Sequence, residues 1–224
     1  MTDNYEPIPV TSGELLDKIR SELPLFIKGK RLEHTYNVEK AATGLSEVLL
    51  PYCNIPKERT NDIIASSLLH DITKQLSEEK QLSLCKKYGI DISDFENNEP
   101  IIHSFTGAYF AKEKYGINDI VFGSIYNHTT GKENMNVFEK IIFIADYIED
   151  GRTAEPCIDV RNRLYSSLNE NENKMYCLDN AILLAIDYTL KYLTQKQLPI
   201  HVQTINTRDF LSAEKNLHGS DMRD

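Results

Sequence analysis

Six residues of the chain combine imidazole and carboxylate side chains in an order that suits metal chemistry. They follow the pattern H…HD…H…H…D, and most of them stand near a predicted helix end. They are His34, His70, Asp71, His103, His128 and Asp146. Imidazole and carboxylate are the ligands that iron, manganese and zinc sites prefer, and the four cysteines form no C-x-x-C pair for a structural zinc site. The pattern therefore favours a metal site built from histidine and aspartate.

Asp146 is the most informative of these residues because it interrupts the very apolar segment EKIIFIADYIED. A carboxylate buried there without a partner would be costly, so it should meet a cation or hydrogen-bond donors. The adjacent His70 and Asp71 would point about 100° apart on a helix, so both reach one site only at a helix end or around a bridging metal. The alternative is a helical interaction protein with structural histidines, which leaves Asp146 without a partner.

Apolar residues spaced three and four apart predict the helices that must position these side chains. Proline and glycine interrupt the pattern between segments, whereas no alternating apolar run predicts a strand. The predicted helices are 12–22, 32–50, 57–70, 77–88, 103–115, 119–127, 137–149, 159–168 and 174–194. A polar loop is expected at 94–100. The segment HVQTINTRDF after Pro199 is left open between strand, turn and short helix.

The chain is predicted to be one all-α domain, a single helical bundle. Residues 1–13 are expected to be a flexible leader, 14–211 the domain and 212–224 a frayed tail. A formal net charge of −9 over 224 residues argues against a nucleic-acid or polybasic membrane-surface protein. The scattered cysteines and the absence of a signal-peptide pattern or of a long apolar stretch indicate a cytoplasmic protein.

Several strings around the candidate ligands are similar to a known family. They are RLEHT at 31–35, SSLLHDITK at 66–74, HSFTGAY at 103–109, NHTTGK at 127–132 and EKIIFIADYIEDGR at 139–152. His70-Asp71 followed by Lys74 resembles the HD superfamily of metal-dependent phosphohydrolases. The longer strings resemble its YqeK branch, the symmetrical dinucleoside-tetraphosphatases, from about Glu14 to Phe210.

The resemblance implies an HD-domain helical bundle that holds two divalent metal ions, which would be iron, with manganese or another transition metal as an alternative. By motif match, His34, His70, Asp71 and Asp146 would surround one ion. His103 and His128 would bind the second, with Asp71 bridging the two. The implied reaction is hydrolysis of diadenosine tetraphosphate to two ADP, so the expected partner is a small dinucleoside polyphosphate and neither nucleic acid nor a membrane.

Positively charged residues near the ligands are candidates for phosphate binding. Arg31 precedes His34 by about one helical turn, and its planar guanidinium suits bidentate contact with phosphate. Lys74 could neutralise a phosphate or hold a metal-bound carboxylate, and Arg152 could reach the substrate from a loop. Asp71, Lys74 and Arg152 are the predicted catalytic residues. Gly131 would allow backbone N–H groups to approach phosphate.

The nucleotide contacts implied by the resemblance include His103 and His128 and a segment near the C-terminus. That segment is Pro199, Ile200, His201, Val202, Gln203 and Thr204. Here His201 replaces an expected aromatic ring and Gln203 an acidic residue. Two other functions stay open, namely an HD-type nucleotidase or dNTP hydrolase and a regulatory nucleotide-binding HD domain. The products formed from diadenosine tetraphosphate would separate them.

Overall fold

The structure is a computed structural model that describes residues 8–91, 93 and 99–221. Over these ranges it contains ten α-helices and no strand, which confirms the predicted all-α fold. The helices are α1 (Gly13–Glu22), α2 (Lys30–Tyr52), α3 (Thr60–Leu69), α4 (Glu78–Tyr88), α5 (Glu99–Tyr115), α6 (Asp119–Asn127), α7 (Val137–Ile148), α8 (Glu155–Glu170), α9 (Lys174–Gln195) and α10 (Val202–Asp221). No helix of the described residues is both long enough and apolar enough to cross a membrane.

Short polar side chains set several helix starts. Ser12 accepts a hydrogen bond from the Leu15 N–H group, and Ser77 accepts one from the Lys80 N–H group. Asn136 begins α7 with a reciprocal arrangement in which the Glu139 carboxylate accepts the Asn136 N–H group. Each bond satisfies a backbone donor that the first helical turn leaves without a partner. These caps fix where the helices begin, and therefore which residues face inward.

Helix α7 lies at the centre of the bundle. All residues of Ile141–Ala145 are buried, since α2, α6 and α9 pack around this helix. One hydrophobic cluster joins α7 to α2, α8 and α9, and a second joins α1, α3, α5 and α6. Helix α3 contributes Ile63 to the first cluster and Leu68 to the second. The C-terminal end of α3, where His70 stands, is therefore fixed between the two cores.

Two helices begin about one turn earlier than their patterns predict. Helix α5 begins at Glu99 and not at His103, so His103 lies more than one turn inside it. Helix α8 spans Glu155–Glu170, where Pro156 in the first turn is compatible with a helix because its missing N–H group would have no intrahelical partner there. Residues 94–98 of the predicted loop lie outside the described residues.

The C-terminal segment forms a long helix. The stretch after Pro199, which the sequence pattern left open, enters α10 at Val202, and α10 continues to Asp221. Residues 212–221 are therefore helical and not the frayed tail that was expected. Burial of Thr207 and Leu211 holds the helix against the bundle, although its β-branched residues gave little helical signal.

The N-terminal segment is anchored by a buried carboxylate. Asp62 of α3 is fully buried, and its Oδ1 atom accepts hydrogen bonds from the Thr11 N–H group, the Thr11 hydroxyl and the Asn118 amide, at 3.0, 2.7 and 2.8 Å. Arg59 donates to Oδ2 at 2.8 Å. Residues 8–12 of the predicted leader are thus tied to α3. Residues 1–7 lie outside the described residues.

We expect Asp62→Ala to lower the free energy of unfolding by about 3 kcal/mol, because it removes the acceptor of the buried Thr11 N–H and hydroxyl groups and the ion-pair partner of Arg59. The matched control is Asp119→Ala, which removes a carboxylate that pairs with Lys112 but is 77% exposed. That change should cost less than about 1 kcal/mol. Urea denaturation monitored by circular dichroism measures both, and equal losses would contradict the anchoring role of Asp62.

Candidate metal centre

Five helices bring the six candidate ligands together. His34 lies in the second turn of α2, His103 in the second turn of α5, and Asp146 near the end of α7. His70 and His128 are the C-terminal cap residues of α3 and α6. Asp71 follows His70 in a series of turns, so the helix ends between these neighbours and both side chains reach one site. The six residues that the sequence pattern grouped together thus lie close together in the fold.

Asp71 lies at the centre of the cluster with only 3% of its side chain exposed. Its Oδ1 atom is 3.0 Å from His103 Nε2 and 3.8 Å from His128 Nε2. Its Oδ2 atom is 3.2 Å from His70 Nε2 and 3.7 Å from His34 Nε2. Each carboxylate oxygen therefore faces a different pair of imidazoles, as a carboxylate that bridges two cations requires.

The ligand atoms form three overlapping groups, each compact enough to hold a metal ion. The groups are His34–His70–Asp71, His70–His128–Asp146 and Asp71–His103–His128, with the atoms of each group within 4.8 Å of one another. Asp146 Oδ1 also lies 3.0 Å from His34 Nε2. The described cluster can thus hold more than one cation through imidazole nitrogen and carboxylate oxygen.

The hydrogen bonds of the rings show that the cluster fits a cation. Nδ1 of His70 lies 2.7 Å from the Ser67 carbonyl, and Nδ1 of His128 lies 2.7 Å from the Ile125 carbonyl. A carbonyl only accepts, so Nδ1 carries the hydrogen and Nε2 directs a lone pair into the cluster. His70 is fully buried, yet its Nε2 atom has no hydrogen-bond partner. A buried lone pair of this kind is suited to a metal ion.

The charges of the cluster are also those that metal binding needs. Burial alone would raise the pKa of Asp71, but His70 and His103 hold it well below its usual range. Burial would likewise raise the pKa of Asp146, which contact with His34 and Arg152 instead holds well below the usual range. Ligands must be deprotonated to bind a metal ion, and both carboxylates meet that condition at neutral pH.

Two of the imidazoles are held neutral. Burial, reinforced by the neighbouring His70 and His103, lowers the pKa of His128 to about 3. Burial also lowers the pKa of His103. For His70 burial acts in the same direction, but the adjacent Asp71 outweighs it and the pKa is raised. The neutral rings of His103 and His128 therefore keep the deprotonated nitrogen that metal binding requires.

The three predicted basic residues all contact the cluster, but two of them contact a carboxylate and the third contacts an imidazole. Arg31 Nη1 donates to Asp71 Oδ2 at 2.6 Å, and Arg152 Nη2 donates to Asp146 Oδ1 at 2.8 Å. Among the described residues, Lys74 forms no ion pair with a carboxylate. Its Nζ atom donates to the Pro100 carbonyl at 3.0 Å and lies 3.0 Å from His103 Nδ1, and burial lowers its pKa.

Gly131 has a structural constraint that differs from the predicted phosphate contact. Its N–H group donates to the Asn127 carbonyl at 2.9 Å, so that donor is already used. Its φ is +67°, and a Cβ atom there would lie 2.7 Å from Thr207 Cγ2. Glycine is needed because α10 packs closely against the turn that carries His128. Gln203 reinforces this contact by donating from Nε2 to the Gly131 carbonyl at 2.7 Å.

The segment 199–204 lies beside this turn. His201 Nδ1 accepts the Gln203 N–H group at 3.2 Å, and its ring centroid is 6.4 Å from that of Phe105. Val202 is exposed, whereas Thr204 is buried. The segment is thus adjacent to the turn that carries His128.

A cavity opens on the other side of His103, between α4 and α5. Its volume is about 260 Å³, and it is lined by Lys74, Leu76, Glu78, Gln81, Pro100, Ile102 and His103. Apolar walls stand beside the ammonium group of Lys74, so the cavity offers room for part of a bound small molecule next to His103.

Glu149 is a buried acid beside the site that the sequence reasoning did not single out. Its Oε1 atom lies 3.1 Å from His34 Nδ1, and only 3% of its side chain is exposed. The signal in the sequence is its position directly after the apolar helix that contains Asp146.

Comparison with known proteins agrees with this geometry. The family model for the HD domain matches residues 31–151. A symmetrical bis(5'-nucleosyl)-tetraphosphatase of Staphylococcus aureus is 30% identical over 182 residues, which cover 81% of this chain and 86% of that protein. A protein of the same name from Halalkalibacterium halodurans is 28% identical over 191 residues, which cover 85% and 95%.

A solved structure shares the fold. It is a crystal structure from Clostridium acetobutylicum described as a "predicted HD superfamily hydrolase involved in NAD metabolism". It superposes with a TM-score of 0.76 at 31% identity, covering 89% of this chain and 97% of that one. The helical bundle and its histidine–aspartate cluster are those of a metal-binding HD-domain protein, and the chain belongs to the HD-domain family. Within that family it belongs to the YqeK branch, whose curated members carry the name symmetrical bis(5'-nucleosyl)-tetraphosphatase.

We expect Asp71→Ala to weaken Mn²⁺ binding by at least about 100-fold, because all four imidazoles face this carboxylate. Mutation of a residue that only orients a metal ligand already lowers metal affinity by about 10–100-fold. Titration calorimetry on metal-stripped protein measures the change. Asp187→Ala is the matched control, since Asp187 pairs with Arg208 at a 44% exposed position on α9. Unchanged affinity in Asp71→Ala would remove Asp71 from the metal site.

Proposed function

We propose that the protein is a metal-dependent phosphohydrolase that cleaves diadenosine tetraphosphate symmetrically to two ADP. The observation that carries this proposal is the Asp71 carboxylate, whose two oxygens each face a separate pair of imidazoles. The names of the relatives support the substrate and the symmetry of cleavage. Hydrolysis at the central bridge adds one water molecule and releases two ADP, so the atoms balance without another co-reactant.

The residues would hold two divalent ions. His34, His70, Asp71 and Asp146 would hold one ion, and His103, His128 and Asp71 the other. Imidazole and carboxylate ligands accept several transition metals, and we propose iron, with manganese as a substitute. When bound, such ions polarise a phosphate and acidify a water molecule.

The four cysteines are free thiols, which is compatible with the proposed cytoplasmic location.

The basic residues would bind the polyphosphate. Asp71 uses one of the five N–H donors of Arg31, so the guanidinium keeps donors for phosphate oxygens. Arg152 is 40% exposed beside Asp146 and could bind a second phosphate. Lys74 adds a third positive charge next to His103, at the mouth of the cavity between α4 and α5. Positive groups of this kind stabilise the charge that develops on a transferring phosphoryl group.

One set of nucleoside contacts would come from the segment that leads into α10. We assign one nucleoside-binding region to residues 199–204, where the His201 ring would stack on a base, and we keep Gly131 for the shape of the adjacent turn. His103 and His128 would contact phosphate as well as metal. The catalytic domain would span residues 14–211, with α10 continuing beyond it.

Product analysis tests the reaction. With Fe²⁺ under anaerobic conditions, diadenosine tetraphosphate should give two ADP per substrate and neither AMP nor ATP. In H₂¹⁸O, one ¹⁸O atom per substrate should enter the β-phosphate of one ADP, because attack occurs at an inner phosphorus. Liquid chromatography with mass spectrometry measures both. AMP and ATP as products, or release of triphosphate from a dNTP, would favour another HD hydrolase.

We expect Arg31→Ala to lower kcat/KM by about 100-fold, the size of effect seen when one donor to a transition-state charge is removed. Bound metal, measured by elemental analysis, should stay near the wild-type content. Arg163→Ala is the matched control, since Arg163 pairs with Asp159 at 2.9 Å on an exposed face of α8. Equal kcat/KM values in the two variants would exclude Arg31 from substrate binding.

A further inference from the structure

Glu149 is an unusual acid because it is buried at the end of α7 with both carboxylate oxygens in use. Its Oε1 atom lies 3.1 Å from His34 Nδ1, and its Oε2 atom accepts the Gly151 N–H group at 2.5 Å. Arg152 Nε approaches Oε1 only to 3.9 Å. His34 is therefore the group to which this carboxylate is directed.

His34 differs from the other three imidazoles in its Nδ1 partner. Nδ1 of His70, His103 and His128 lies 2.7, 2.8 and 2.7 Å from a backbone carbonyl. His34 faces a carboxylate instead. A carboxylate accepts a hydrogen bond and cannot donate one, so Glu149 favours hydrogen on Nδ1 of His34. The opposite nitrogen, Nε2, lies 3.0 Å from Asp146 Oδ1 and is the atom that would face a metal ion.

The local backbone holds the Glu149 carboxylate in place. Arg161 of α8 donates from Nε to the Ile148 carbonyl and from Nη2 to the carbonyls of Glu149 and Arg152, at 2.5, 2.5 and 2.9 Å. Gly151 provides the space, because a Cβ atom there would lie 2.9 Å from Glu149 Oε2. The turn after α7 is thus shaped around this carboxylate.

We propose that Glu149 is a positioning residue that fixes the tautomer and direction of His34 and thereby tightens metal binding by the Asp146 side of the cluster. This inference rests on the proposed metal site. Glu149 does not contact the metal or the substrate in this assignment. Its effect passes through the His34 ring, as hydrogen bonds from ligating histidines to carboxylates do in other metal sites.

Two variants test the role of Glu149. Glu149→Gln keeps the shape of the side chain but removes its charge, and Gly151→Ala keeps Glu149 but displaces its carboxylate through the new Cβ atom. Both should weaken Mn²⁺ binding to metal-stripped protein by about 10–100-fold in titration calorimetry. Asp150→Asn is the matched control, because it removes the neighbouring charge of an exposed carboxylate that pairs with Lys40. Its affinity should stay within about threefold of wild type, since outer contacts matter only where they reach a ligand.

A spectroscopic readout separates positioning from a general structural effect. In the ¹⁵N NMR spectrum of metal-free wild-type protein, the His34 Nδ1 atom should carry hydrogen. In Glu149→Gln its resonance should shift toward that of an unprotonated nitrogen, because Asp146 Oδ1, 3.0 Å from Nε2, then favours hydrogen on the opposite nitrogen. Wild-type metal affinity together with an unchanged His34 tautomer in both variants would overturn the proposal.

The two proposals fail in distinguishable ways. If wild-type protein binds no Mn²⁺, the proposed metal site is wrong. The role of Glu149 is tested separately by NMR, and an unchanged His34 tautomer in Glu149→Gln would overturn it. If Glu149→Gln does not fold, which circular dichroism would reveal, Gly151→Ala supplies both measurements with Glu149 still present.

Discussion

The site depends on one buried carboxylate. Asp71 is charged, almost fully buried and surrounded by four imidazoles, so it would be very costly to bury without compensating positive charge or hydrogen bonds. The fold meets this requirement by ending α3 at Leu69, so that His70 and Asp71 leave the helix together. The other helices then bring their histidines to the same point. The two hydrophobic cores on either side of α3 hold these helix ends in position.

The net charge of −9 describes the surface of the protein and not this site. Around the cluster, Arg31 and Arg152 pair directly with Asp71 and Asp146, and Lys74 lies beside His103. Bound divalent cations would add further positive charge. With these cations bound, a polyanion the size of a dinucleoside polyphosphate would meet a local excess of positive charge, whereas a long nucleic acid would meet a predominantly acidic surface.

The sequence predicted the helices with clear apolar periodicity and the six residues of the cluster, because both follow from local pattern and from motif strings. It could not predict α10, since Val202, Thr204 and Ile205 are poor helix formers and the helix depends on tertiary packing of Thr207 and Leu211. The close packing of Gly131 against Thr207 could not be predicted, because the two residues are distant in sequence. Glu149 was missed for the same reason, since its partner His34 lies 115 residues away.

The same local hydrogen bond orients three of the four imidazoles. His70, His103 and His128 each place Nδ1 near the carbonyl of the residue three positions earlier, namely Ser67, Pro100 and Ile125. The helix backbone itself thus sets the direction of these rings. The corresponding carbonyl for His34 is that of Arg31, which already accepts the Thr35 hydroxyl at 3.0 Å. His34 instead directs Nδ1 to the Glu149 carboxylate at the end of another helix, so the geometry of the cluster depends at this one point on how α7 packs against α2.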